Sequence, residues 1–251
     1  MTVSRPLVVV PTYDESENIV DLLDQVLRAA PVVDVLVVDD SSPDHTGDLV
    51  TAHPGFGDRV HLLTRPGKSG LGAAYRAGFG WALEHDYDAV VQMDADFSHP
   101  PSRLPALIGA LDGHDLAIGS RYVPGGGIEN WALSRRIISR VGNLYVATVL
   151  SLPVRDATAG FKAWRSTALA KIGAASSQSN GYCFQIENTW QASREGLSVV
   201  EVPITFIDRT RGQSKMSSAI VLEAIIRVLG WRWRDRAFLK HRSTPGGMLR
   251  E

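Results

Sequence analysis

The sequence predicts an α/β fold built on a mainly parallel sheet, and three observations carry that prediction. Short runs rich in β-branched residues occur at 7–10, 35–38, 60–63, 89–92 and 116–118, and they read as strands. Longer segments with helical spacing separate them. Polar or glycine-rich segments then follow directly on the runs: Pro11-Thr12-Tyr13-Asp14-Glu15, Asp39-Asp40-Ser41-Ser42, Arg65-Pro66-Gly67-Lys68-Ser69-Gly70 and Asp94-Ala95-Asp96. In an open α/β sheet ligands bind beyond the carboxyl ends of the strands, so these segments should converge on one nucleotide-sized site.

Between the first two runs, Ile19, Leu22, Leu23, Val26 and Leu27 recur at i, i+3, i+4, i+7 and i+8. The spacing predicts a helix over about 15–29, with Asp14 and Glu17 in a capping-box-like start. Residues 125–127 read as a flexible loop, suited to a hinge or lid, and 134–150 as a helix packed beside the site. At 251 residues, 44% hydrophobic and 21% charged, the chain suits one large core. We expect a catalytic domain over 1–217 and an appendage over 218–251.

A net charge of -1 gives no general reason to expect nucleic acid as a partner. The lone cysteine, Cys183, excludes an intramolecular disulfide and a cysteine zinc cluster, and reads as buried filler. The opening Met1-Thr2-Val3-Ser4-Arg5-Pro6 lacks the pattern of a signal peptide, and the most apolar stretch, 219–231, is short and carries Glu223 and Arg227. The expectation is a cytoplasmic protein, peripheral at the cytosolic face of a membrane.

Asp94 and Asp96 flank one small residue, so both carboxylates can turn toward a hard divalent cation completed by diphosphate oxygens and water. Asp-x-Asp is also common in plain turns; its place after the buried-looking run Ala89-Val90-Val91-Gln92-Met93 favours a site. Asp39 and Asp40 suit ribose hydroxyls, a base edge or a second contact to the metal, and solvated loop aspartates are the alternative. Pro11-Thr12-Tyr13 can wall a base that hydrogen-bonds Glu15, unless Glu15 only answers a helix dipole. Gly67-Lys68-Ser69-Gly70-Leu71-Gly72 resembles a phosphate cradle with Lys68 supplying charge, but Leu62 stands where a Walker A loop needs glycine. Arg121, Arg135, Arg209 and Lys215 together can bind a phosphate acceptor and balance transition-state charge.

This ordered set, with Val37-Val38-Asp39-Asp40, Asp94-Ala95-Asp96-Phe97-Ser98-His99, Gly119-Ser120-Arg121-Tyr122 and Arg209-Thr210-Arg211-Gly212-Gln213-Ser214-Lys215, resembles glycosyltransferase family 2. More narrowly, it resembles the polyprenol (dolichol) phosphate mannose synthases, over about residues 8–217. The resemblance implies a GT-A fold and inverting transfer of mannose from GDP-mannose to a polyprenyl phosphate, with magnesium or manganese as cofactor. Pro11, Tyr13, Glu15, Val38 and Asp40 would contact the nucleoside, with Lys68 beside the donor. Asp94, Ala95 and Asp96 would meet the metal, diphosphate and sugar, and the catalytic set would be Asp96, Arg121, Arg209 and Lys215. Arg135, Gln185, Glu187, Arg209 and Lys215 would face the acceptor, although a helix with one polar face explains Gln185 and Glu187 equally. Two departures stand out: His45 replaces the glycine of an Asp-Gly-Thr turn, and Ser98 replaces a metal-ligating glutamine found in some relatives.

After Ser217-Ser218, Val221, Leu222, Ile225, Val228 and Leu229 form an apolar stripe. Arg227, Arg232, Arg234, Arg236, Lys240 and Arg242 then interleave with Trp231, Trp233 and Phe238, which suits a membrane surface or a membrane-anchored partner protein. A helix packed on the catalytic domain is the alternative. Two other functions compete: a polyprenyl-phosphate glucosyltransferase or other UDP-sugar transferase, and a catalytically silent nucleotide-sugar-binding protein. A phosphatase with Asp-x-Asp is remote, because its nucleophile belongs where this chain has Pro11-Thr12-Tyr13.

Overall fold

The structure, a computed structural model, describes residues 2–177, 179, 181–208 and 225–233. Strands β1 (Pro6–Thr12), β2 (Asp34–Asp39), β3 (Val60–Thr64), β4 (Ala89–Gln92) and β5 (Leu116–Ser120) match the five sequence runs. Four further strands follow: β6 (Gly127–Glu129), β7 (Lys162–Arg165), β8 (Val199–Pro203) and β9 (Thr205–Ile207). The helices are α1 (Ile19–Ala29), α2 (Thr46–Thr51), α3 (Leu71–Glu84), α4 (Leu104–Gly109), α5 (Leu133–Leu150), α6 (Ser166–Lys171) and α7 (Gly181–Arg194). Seven strands form one sheet in the order β3-β2-β1-β4-β7-β5-β8, while β6 and β9 pair separately. In the large sheet only β7 runs antiparallel to its neighbours, so the predicted mainly parallel sheet is what forms.

The strands are apolar almost throughout because both faces of the sheet are covered. Val8, Val10, Val35 and Val37 pack with Ile19, Leu22 and Val26 of α1 and Leu104 and Leu107 of α4. Leu7, Val9, Leu36 and Val38 point the other way, into Tyr75 and Phe79 of α3 and Phe184 of α7. Helix α3 approaches β1 closely at Gly78, where a Cβ would lie 2.4 Å from Val9 Cγ1. That contact sets Tyr75, one turn earlier, against the carboxyl end of the sheet.

Three expectations change. Helix α1 starts at Ile19, without a side-chain cap, so Asp14 and Glu17 do not open it. Asp14 lies in the left-handed region, while Thr46 Oγ1 accepts from the Glu15 N–H and Asp44 Oδ2 from the Ser16 N–H, tying these residues to the loop after β2. Residues 125–127 are a packed return and not a hinge: Gly126 N–H donates to Val123 O, Gly127 begins β6, and a Cβ at Gly126 would lie 2.6 Å from Ser120 O. Finally, residues 225–233 are helical and pack on the core through Val228 and Trp231, which stacks on Trp190 at 5.5 Å. Trp231 therefore leaves the expected membrane-facing aromatic set. The remainder of that segment, including Val221, Leu222 and residues 234–242, lies outside the described residues.

Candidate active site

The ends of β1 and β2 are cross-linked by the acidic pair. Asp39 Oδ1 accepts from Thr12 Oγ1 (2.8 Å) and Ser42 Oγ (2.6 Å), and Asp40 Oδ1 pairs with Arg65 Nη1 at 2.7 Å. Both carboxylates are buried, so they shape the loops. Lys68 Nζ lies 3.7 Å above the Tyr13 ring, which brings the glycine-rich loop onto the Pro11-to-Glu15 segment. Glu15 Oε2 accepts from Asn18 Nδ2. The Val38 side chain is fully buried against α3, so only its backbone can meet a ligand. Asp44 braces the same region: burial opposes its charge, but hydrogen bonds from Thr46 and Ser16 outweigh that and hold its carboxyl below the ordinary value. His45 sits at φ 65°, the left-handed region, which explains why glycine is at ease there. A shallow cavity of about 280 Å³ beside β2 and β3 is lined by Asp39, Ser42 and His45, and by none of Pro11, Tyr13, Glu15, Asp40 and Lys68.

Asp94 and Asp96 follow β4 on a loop whose shape is fixed from several sides. The Asp94 N–H donates to His99 Nδ1 at 3.0 Å, so the ring proton of His99 sits on Nε2, 3.9 Å from Asp94 Oδ2. Tyr75 O–H donates to Asp94 Oδ1 at 3.0 Å. Burial, with Asp94 and Asp96 adding to it, pushes the Tyr75 phenol well above its ordinary value, so it stays a donor. Asp96 Oδ1 accepts the Ser98 N–H at 3.1 Å, closing a turn in which Phe97 takes φ 59°. Ala95 is buried between the two aspartates, both partly exposed. Ser98 Oγ is buried and unpartnered, and among the described residues no cluster of three metal-ligating side chains occurs. Asp94 and Asp96 are two partly exposed carboxylates on either side of Ala95, the donor type that suits a hard cation whose remaining ligands come from a diphosphate and water.

Tyr75 and His99 were missed as site residues because one faces inward from a helix and the other drew notice only as part of a motif. Tyr75→Phe keeps the stacking on Phe184 at 6.0 Å but releases Asp94. If Asp94 holds a divalent cation, we expect the metal concentration for half-maximal turnover to rise roughly 10- to 100-fold, with a nearly unchanged melting temperature. Metal titrations of initial rate on the two proteins check this.

On the opposite side Arg121 is buried, and its fork is engaged by Asp156: Nε to Oδ2 at 2.7 Å and Nη2 to Oδ1 at 2.6 Å. Nη2 also reaches Thr158 Oγ1, and the guanidinium lies 5.6 Å from the centroid of Phe206 and 5.7 Å from that of Trp131. Arg135 pairs with Asp208 at 2.8 Å and lies 3.9 Å over Trp131. The two arginines therefore share one aromatic enclosure. Arg209 and Lys215 lie outside the described residues.

Gln185 does not fit the expected acceptor role. It is 2% exposed, its Oε1 accepts from Gln92 Nε2, and an acceptor would have to part α7 from the sheet to reach it. Glu187 is partly exposed and accepts the Ser179 N–H, bracing the loop before α7. Cys183 is buried filler, as expected. Lys162, which no motif singles out, is fully buried and donates to Gln185 O and Thr189 Oγ1 at 2.8 Å each. Burial lowers its amine to about 7, with Asp156 opposing the shift and Arg121 adding to it. Below that pH folded and unfolded chains are both protonated and the burial penalty is complete. Between about 7 and the unfolded value of 10.5 only the unfolded chain holds the proton, so stability rises with pH, by at most about 1.4 kcal/mol per unit. Lys162→Met should flatten that slope in urea unfolding across the same window; an unaltered slope would contradict the assignment.

With this geometry in hand, comparison with known proteins is informative. The model of "Glycosyl transferase family 2" matches residues 7–173. The chain is 49% identical to the polyprenol monophosphomannose synthase of Mycolicibacterium smegmatis, covering 92% of this chain and 88% of that protein. It is 48% identical to the undecaprenyl-phosphate mannosyltransferase of Micrococcus luteus, covering 91% and 96%. Among solved structures, glucosyl-3-phosphoglycerate synthase from Mycobacterium tuberculosis, in complex with Mn2+, uridine diphosphate and glucosyl-3-phosphoglycerate, superposes with a TM-score of 0.67 at 19% identity, covering 91% of this chain and 80% of that one. That likeness bears on the fold alone.

Proposed function

The chain belongs to glycosyl transferase family 2, and from that membership we propose that it transfers mannose from GDP-mannose to a polyprenyl phosphate, with inversion, giving polyprenyl phosphate mannose. The observation that carries this reading is near-half identity, over almost the whole chain, to two proteins named for mannosyl transfer to polyprenyl phosphates. The donor would lie across the ends of β1, β2 and β4, with Pro11, Tyr13, Glu15 and Asp40 toward the nucleoside and Lys68 toward the phosphates.

Asp94 and Asp96 would hold a divalent cation, magnesium or manganese, which neutralises charge on the departing diphosphate. Glucosyl-3-phosphoglycerate synthase, which shares this fold, was itself solved with Mn2+ and uridine diphosphate bound. Tyr75 and His99 keep Asp94 oriented; Arg121 and Arg135, both already paired with carboxylates, would border the acceptor, and Arg209 and Lys215 would supply it with positive charge. No general base is required. A phosphate monoester, with a second pKa of about 6, arrives at neutral pH already anionic, so alignment and charge stabilisation suffice.

Such an acceptor lives in a membrane, and we place the protein at its cytosolic face. No described helix is long and apolar enough to cross a bilayer. The base-free mechanism is tested by offering a polyprenyl phosphate and the matching polyprenol. Turnover should occur with the phosphate alone; comparable transfer to the alcohol would show that a base exists.

A further inference from the structure

Lys162 stands where the two halves of the site meet. It opens β7, the strand between β4 and β5, with Gln92 opposite it on one side and Ile118 on the other. Strand β4 leads on to Asp94 and β5 to Arg121, while Gly160, just before Lys162, lies so near the donor loop that a Cβ there would be 3.1 Å from His99 Cε1. A lysine with no exposed surface is costly, and donor, cation and acceptor are all held without it. Its bonding suits the uncharged amine. Two acceptors face it, Gln185 O and Thr189 Oγ1, and a neutral amine has two N–H groups to donate; the third N–H of an ammonium has no hydrogen-bond partner among the described residues.

The surroundings of the amine are charged on one side only. Helix α7 turns Gln185 and Thr189 to it and β4 sets Gln92 opposite it, engaged with Gln185 Oε1 and Trp164 Nε1. Burial lowers the amine to about 7; of the two charges that bear on it, Asp156, from the chain between α5 and β7, opposes the shift and Arg121, at the end of β5, adds to it. Asp156 accepts three times from Arg121, through the backbone N–H, Nε and Nη2, so with a neutral Lys162 the ion pair cancels. With a charged Lys162 the three groups carry one net positive charge. An anionic acceptor settling beside Arg121 adds negative charge on that same side and so favours the charged amine. We propose that Lys162 is a positioning residue for the phosphate acceptor, taking up one proton as the acceptor enters, so that Arg121, Asp156 and Lys162 meet it with a net positive charge. This rests on the proposed acceptor site at Arg121. The free enzyme holds the proton below about 7 and the acceptor complex holds it to a higher pH, so affinity is greatest below about 7 and falls as pH rises through that value, by at most about tenfold per unit. The acceptor adds no slope of its own there, its second pKa being about 6.

The test uses the full chain and a short, water-soluble prenyl phosphate, with saturating GDP-mannose and magnesium. From about pH 7 to about pH 8.5 the KM for the acceptor should rise roughly three- to tenfold in the wild type. In Lys162→Met it should stay within about twofold of the wild type's alkaline value at every pH, and the KM for the donor should follow neither change. Calorimetry on the wild type needs no substitution: near pH 7.5, titration of the prenyl phosphate in two buffers of different ionisation enthalpy should show uptake of roughly half a proton or more per acceptor bound. A merely structural lysine would leave that proton count at zero. Release of protons, or no exchange, overturns the proposal, as does a folded Lys162→Met whose acceptor KM keeps the wild-type slope. A wild type that neither binds nor turns over the prenyl phosphate ends the functional reading and the proposal with it, whereas turnover without proton uptake ends the proposal alone.

Discussion

Asp96→Ala is expected to lower turnover by roughly 100- to 1000-fold or more, the scale seen when one charge-stabilising group is removed from a preorganised site. The fold should survive it. Asp96 is partly exposed and accepts the Ser98 N–H, and loss of that hydrogen bond costs about 0.5–1.5 kcal/mol. Thermal unfolding and initial rates on the same preparation separate the effects. A folded variant with near-normal turnover would remove the metal and donor role assigned to this carboxylate, and restoration at high metal concentration would point to weakened cation binding alone.

The second large effect lies away from the donor. Asp156→Ala should cost about 3–5 kcal/mol, because it leaves the buried Arg121 guanidinium without its counter-charge. Asp156 is itself fully buried and also accepts the Arg121 N–H, while its own N–H donates to Glu201; with Thr158 Oγ1 on Arg121 and the Gly119 N–H on Phe161 O, it binds the segment before β7 to the end of β5. Urea unfolding measures the loss, and a cost under about 1 kcal/mol would show that water replaces the carboxylate at little expense. Arg121→Lys keeps the charge but cannot reproduce the bidentate geometry, so it should also lose stability.

The contrast between these two sites explains what was legible in the sequence. The five leading strands could be read because a parallel sheet covered on both faces needs unbroken apolar runs, and Val8-Val9-Val10 or Val35-Leu36-Val37-Val38 admit few other uses. The acidic loop could be read because function leaves carboxylates directly after such a run. Strand β7 could not, since Lys162-Ala163-Trp164-Arg165 carries two basic residues whose partners, Thr189 on α7 and the loops before β5, are remote in sequence. Asp156 was hidden for the same reason: only tertiary contact distinguishes a buried ion pair from a solvated aspartate. Helix α1 was drawn one turn too long because its apolar stripe is plain, whereas the hydrogen bonds that hold Glu15 and Ser16 off the helix come from Thr46 and Asp44.

Helix α5 shows the converse. Its pattern predicted a helix correctly, yet amphipathicity alone could not say which face meets the protein. The tertiary structure commits Asn143, Val146 and Leu150 inward and leaves the larger apolar set outside.

The most direct measurement is transfer itself. The full chain is incubated with magnesium or manganese, radiolabelled GDP-mannose or UDP-glucose, and undecaprenyl phosphate, and the label is followed into organic solvent. Label from GDP-mannose should enter the organic phase only when the lipid phosphate is present, and should fail to do so with Asp96→Ala. Label entering from UDP-glucose but not from GDP-mannose would contradict the mannosyl assignment at the site built around Asp94 and Asp96.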